Sequence, residues 1–179
     1  MKRRITQFLF VGILAVFASQ GPLGAQNLVN NASFESGAWA QANSGSADWV
    51  TASNVFGFQT PRSGTRMMGQ AFGNQGGSGF REYIKNSLSS PTAIGTAYYV
   101  EFWVSLSENY GAYATNNHGM AFTATSPYFG FSNGPIPLTP QVYSLTPLTS
   151  KTVWQQVSGT FTATGVFNHV TIGNFHSDA

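Results

Sequence analysis

The chain has 179 residues, enough for one domain with a proper core and little more. Charged residues make up only 8%, Phe, Trp and Tyr together reach 15%, and there are 20 glycines, a balance that disfavours both disorder and a surface-charged helix bundle. The formal charge of +2 includes Lys2, Arg3 and Arg4; without them five basic residues face six acidic ones, and nothing points to nucleic acid as a partner.

Residues 1–25 read as a signal peptide. Lys2-Arg3-Arg4 is followed by an apolar run over 8–18, then by Gln20, Gly21 and Pro22, and by Gly24-Ala25 before Gln26. The run is too short to span a membrane. Leu23 is bulkier than the small residue preferred three positions before a cleavage point, yet cleavage after Ala25 is the expectation, and with it a secreted or cell-surface location. The other reading, a buried N-terminal helix, is disfavoured because no later stretch is helical enough to pack on it. Cysteine is absent, which excludes a disulfide framework, a thiolate metal site and a cysteine nucleophile.

The remainder, 26–179, is expected to be one module. Residues 27–35 offer a short strand closed by Ser36-Gly37, and 38–54 a long Ala/Ser/Asn/Gly-rich loop anchored by Trp39 and Trp49. Pro61-Arg62-Ser63-Gly64 signals a turn, and 65–72 a strand carrying Met67 and Met68. The glycine-rich run 73–79 is a connection between strands rather than a phosphate cradle, since neither a helix nor a P-loop lysine follows it. Over 80–88, Glu82, Ile84, Asn86 and Leu88 alternate with Arg81, Tyr83 and Lys85, and Ser89-Ser90-Pro91 ends the strand.

The stretch 97–107 alternates most clearly. Tyr98, Val100, Phe102, Val104 and Leu106 form one side, expected to be core; Tyr99, Glu101, Trp103, Ser105 and Ser107 form the other. A polar loop over 108–117 leads to a strand at 118–125, with Met120, Phe122 and Ala124 on one parity. Between Pro127 and Pro147, the prolines at 135, 137 and 140 would deprive a central strand of ladder donors, so this passage belongs on a rim or at an edge. Strands at 153–161 and 169–175 flank a turn at 162–165, and the parity break between Trp154 and Val157 predicts a bulge. Short strands, turn signals and no convincing helix point to an all-β antiparallel sandwich.

Several of these segments carry a family likeness. Asn27-Leu28-Val29-Asn30-Asn31-Ala32-Ser33-Phe34-Glu35, the strand from Tyr98, and Trp154 with Val157-Ser158-Gly159-Thr160-Phe161 resemble the carbohydrate-binding-module-like jelly rolls of the galactose-binding-domain-like superfamily. More narrowly, 56–64, Arg81-Glu82-Tyr83-Ile84, Val104-Ser105-Leu106-Ser107 and Thr171-Ile172-Gly173-Asn174-Phe175 are similar to N-terminal modules of secreted and outer-membrane proteins of Gram-negative bacteria. In those proteins further domains often follow. The resemblance implies one more strand after Gly173-Asn174-Phe175, lying beside the first strand, so the jelly roll is expected to lack its last strand in this chain. It also implies a structural calcium on Glu35, with Asp178 as a loose candidate partner; calcium needs six to eight oxygen ligands, more than these two supply. A solvated strand-end acid is the other reading of Glu35.

For ligand binding the candidates are Tyr99, Glu101 and Trp103, joined by Arg81 and Tyr83 if their strand lies alongside. Aromatic rings stack on the apolar faces of sugars, while Glu101 and Arg81 supply hydrogen bonds to hydroxyls. The competing reading has Tyr99 and Trp103 covered by the proline-rich passage as a second layer of core. His118, His169 and His176 show no metal-ligand spacing, no nucleophile motif is present, and Glu82, Glu101 and Glu108 lack any sign of a cleft, so no enzyme is expected. The expected function is therefore non-catalytic binding of a polysaccharide or cell-surface glycan; an adhesive or structural spacer with no glycan site is the alternative.

Overall fold

The computed structural model describes residues 26–36, 39–42, 61–70, 81–107, 114–130 and 134–177. The signal-peptide reading, the glycine-rich run, Trp49, Glu108 and Asp178 lie outside the described residues. No helix occurs among the described residues, so none is long and apolar enough to cross a membrane.

Seven strands are present among the described residues: β1 (Ala40–Gln41), β2 (Ile84–Ser87), β3 (Ala97–Val104), β4 (His118–Thr123), β5 (Val142–Tyr143), β6 (Gln155–Thr162) and β7 (His169–Asn174). They form two antiparallel sheets, one in the order β1-β2-β7-β4-β5 and one of β3 and β6 alone. Residues 163–168 carry the chain from the smaller sheet to the centre of the larger one. The architecture is an all-β antiparallel sandwich.

Period-two alternation explains why the sheets face each other. Ile84, Met120, Phe122, Val170 and Ile172 of the larger sheet and Phe161 of the smaller bury their side chains in one cluster, with Tyr98, Val100 and Phe102 packed against it. Phe122 and Phe161 stack across the gap with ring centroids 4.8 Å apart, and Tyr98 lies 5.8 Å from Phe161. At Gly159 a Cβ would stand 3.0 Å from Val142 Cγ1, a tight contact where β5 crosses β6.

The larger sheet has a second buried face. Opposite the inner core, Tyr83, Ala121 and Phe175 pack with Ala42 and Ile136, flanked by Phe129 and Leu138. The proline-rich passage supplies this roof. It also ends in the edge strand β5, as the prolines foretold, and since β5 has only two residues the side chain of Gln141 continues the ladder by accepting the Phe122 N–H at 2.7 Å. The passage thus covers the outer face of the larger sheet, whereas the sequence had offered it as a cover for Tyr99 and Trp103.

Several expected elements come out differently. Residues 27–35 are not a strand: Val29 makes one bridge to Leu88, after which Asn31 and Phe34 take positive φ (46° and 63°) and the Phe34 N–H donates to Asn31 O at 3.0 Å, closing a turn. Within 65–70 there is only a bridge residue, Met68, because the Thr65 and Arg66 N–H groups go to a side chain instead of a ladder. The predicted bulge at Trp154 is absent; the residue precedes β6, whose pairing with β3 runs unbroken from Ala97↔Thr162 to Val104↔Gln155. Trp39 does anchor its segment, being 5% exposed, donating from Nε1 to Asn31 O at 3.0 Å and lying 4.9 Å from Phe34.

Candidate functional site

The smaller sheet turns Tyr99, Glu101 and Trp103 away from the core, as their parity requires. Its register sets Tyr99 opposite Thr160, Glu101 opposite Ser158 and Trp103 opposite Gln156. One strand therefore presents two aromatics around a carboxylate, and the other a row of hydroxyls and an amide.

Tyr99 is 61% exposed. Its hydroxyl donates to Glu101 Oε2 at 3.1 Å, and Gln156 Nε2 donates to the same oxygen at 2.6 Å. Glu101 Oε2 thus has two defined donors that hold the carboxylate beside Tyr99 and Gln156. The second carboxylate oxygen, the Tyr99 ring and the hydroxyls of Ser158 and Thr160 remain at the solvent side, since all four residues are exposed. Trp103 is half-buried. The guanidinium carbon of Arg62 sits 3.9 Å from its ring centroid, and its Nε1 is buried with no partner among the described residues.

Arg62 reaches this position from a turn that Glu35 fixes. Glu35 accepts hydrogen bonds from Thr65 N (2.9 Å), Thr65 Oγ1 (2.6 Å) and Arg66 N (3.0 Å). The Thr65 hydroxyl, then the two backbone donors, hold its carboxyl below the usual carboxylate range. Gly64, at φ +68°, has to be glycine: a Cβ would stand 2.3 Å from Glu35 Oε1. The carboxylate that the resemblance assigned to calcium thus also caps this turn. Among the described residues no group of three or more His, Asp or Glu side chains is placed to hold a metal ion.

Arg81 and Tyr83 do not join the patch. Their segment leads into β2 of the larger sheet, so the condition that it lie alongside β3 is not met. Both side chains are buried, at 1% and 0% exposure, and Tyr83 packs under the proline-rich roof. Arg81 Nη1 donates to Asn174 O (3.0 Å) and to His176 O, and the Tyr83 hydroxyl donates to Asn174 O, so the pair clasps the end of β7. Alternation in sequence shows which residues share a face, but not which sheet a strand enters.

The histidines are dispersed. His118 is buried on β4 with Thr115 Oγ1 2.7 Å from Nε2; burial, with the nearby Arg81 charge, pushes its pKa down to about 4. His169 opens β7, and the His176 ring lies 5.2 Å from that of Tyr143.

Sequence reasoning missed two members of the patch. Gln156 was legible in part, since it alternates with Val157 and Phe161, but its pairing with Trp103 depends on register. Arg62 gave no signal beyond a turn, because its contact spans 41 positions of chain. Comparisons with protein-family models, curated proteins and solved structures returned no match to this chain, so the geometry of this patch has to carry the functional reading.

Proposed function

We propose that this chain is a secreted, non-catalytic β-sandwich module of the jelly-roll kind that binds a polysaccharide or cell-surface glycan across the outer face of β3 and β6. The observation that carries the reading is the hydrogen-bonded group of Tyr99, Glu101 and Gln156 on an exposed sheet face. An aromatic ring for the apolar side of a sugar stands beside ordered acceptors and hydroxyls that match its polar rim. A carboxylate held by two neighbours is already oriented, which lowers the entropic cost of binding.

Affinity electrophoresis in gels containing polysaccharides tests this. The wild-type chain is expected to be retarded by at least one polymer, and Tyr99→Ala and Gln156→Ala to remove the retardation while the near-ultraviolet circular dichroism stays unchanged. Retention unaffected by either substitution contradicts the reading. Turnover of a glycan that disappears in Glu101→Gln or Glu82→Gln would replace it with an enzyme.

One observation favours the second reading, a spacer with no glycan site: Arg62 already covers one face of Trp103. A spacer shows no retention on any polysaccharide.

A further inference from the structure

Arg62 has chemistry that a neutral sugar does not use. We infer that the glycan is an acidic polysaccharide, a chain of uronate sugars, and that Arg62 binds its carboxylate; this rests on the glycan reading above. With its guanidinium carbon 3.9 Å over the Trp103 ring centroid, Arg62 has one side covered by the indole. Its N–H donors lie in the plane and point outward from the edges, so a stacked arginine keeps its fork for a carboxylate that approaches in that plane. Two parallel charge-assisted bonds then form, stronger than bonds to hydroxyls.

The protein has not supplied that carboxylate itself. Among the described residues Arg62 forms no ion pair; Glu35 is bonded to Thr65 and Arg66, and one oxygen of Glu101 to Tyr99 and Gln156. Nor is Arg62 on a loose stalk. Its turn is fixed by three hydrogen bonds to Glu35 and by Gly64, and its head rests on a half-buried indole. A preorganised cation loses less freedom on binding.

The rest of the face suits a sugar chain rather than another polyanion. Tyr99 and Trp103, four residues apart on β3, stand about 13 Å from each other along the strand, longer than a single sugar ring. Between them Glu101 disfavours any acid placed directly over it, and nucleic acid, which is held by rows of cations, would meet only Arg62 among the residues of this patch. A uronate chain alternates its carboxylates with hydroxyls, and only one of its acids needs to meet Arg62 while Glu101, Ser158 and Thr160 take hydroxyls.

The test compares binding of the full chain to polygalacturonate, to alginate, to fully methyl-esterified polygalacturonate and to a neutral galactan, with poly-glutamate as a non-sugar polyanion. Binding to at least one uronate polymer is expected, weakened about tenfold or more both by Arg62→Gln and, with polygalacturonate, by esterification, since a charged hydrogen-bonded pair is lost in each case. Arg62→Lys is expected to recover only part of the loss, because an ammonium cannot make the fork. Esterification is independent of any folding defect in the variants. Binding to the neutral or esterified polymer alone, unaffected by Arg62→Gln, overturns this inference and leaves the glycan reading standing. Binding to poly-glutamate as strong as to the uronates overturns both in favour of an acidic protein partner. No binding to any of the polysaccharides refutes the uronate proposal, and a wider panel of neutral glycans then decides the broader reading.

Discussion

The two sheets share one core but differ on their outer faces. On the larger sheet Arg81 and Tyr83 are fully buried and both donate to the backbone carbonyl of Asn174 at the end of β7. On the smaller sheet Arg62 and Tyr99 are the same residue types, yet they remain exposed, one stacked on Trp103 and the other bonded to Glu101. An arginine and a tyrosine thus serve stability on one face and are available to a ligand on the other. What decides between the two is whether a loop covers the sheet, not the residue type.

The sharpest way to break this contrast is to truncate each tyrosine. Tyr83→Ala should cost about 3–5 kcal/mol of unfolding free energy in a urea titration, as for other large buried aromatics, and a cost below about 1 kcal/mol would mean that the roof is not part of the stable structure. Gly173→Ala is expected to be severe for a related reason, since its Cβ would come 2.2 Å from Tyr83 Cδ1.

A second test uses His118, buried beside Arg81 on the roofed sheet. Its folded pKa, about 4, lies below its unfolded value of about 6.5. The unfolded chain therefore takes up the proton first as pH falls. The stability contributed by neutral His118 is complete above pH 6.5 and is lost progressively down to pH 4, amounting to about 3 kcal/mol. Urea midpoints measured from pH 7.5 to 4 should show this loss, and His118→Gln should flatten the profile. A wild-type profile no steeper than that of the variant contradicts the burial of the ring.

Smaller effects are expected near the open face. Gly64→Ala should cost roughly 1–3 kcal/mol from the positive φ alone, with the Glu35 contact adding to it, and should weaken polymer binding by displacing Arg62. Glu35 contributes with the opposite charge logic to His118. Its folded pKa is depressed, so its stabilisation is present above the unfolded value and lost as pH falls through the folded one. A Glu35→Gln variant should lose the acid-side part of the wild-type profile below pH 4.5. Least of all, Tyr99→Ala should change stability by no more than about 0.5 kcal/mol, because an exposed ring gives up little buried area.

The strands that matter were legible where alternation was strong. Residues 97–107 and the Val157, Gly159 and Phe161 parity placed the inner and outer faces of β3 and β6 correctly, because period two is a local property of the backbone. The prolines at 135, 137 and 140 placed their passage at an edge through the donors they lack. Three things were not legible. Sheet membership separated Arg81 and Tyr83 from Tyr99, although all three read as outward residues of amphipathic strands. The fate of the 27–35 segment turned on positive φ at Asn31 and Phe34, and the second of these is unusual for a phenylalanine. The stacking of Arg62 on Trp103 depends on a carboxylate, Glu35, that precedes its turn by about thirty residues and whose role as a cap no local pattern announces.

The most direct measurement is hydrogen exchange of the full chain with and without a retained polysaccharide, resolved by peptide. Added protection is expected in Ala97–Val104 and Gln155–Thr162 and in the turn that carries Arg62, with the roof over 134–148 unchanged. Protection confined to the roof or to the ends of the larger sheet, with β3 and β6 unaffected, would contradict it.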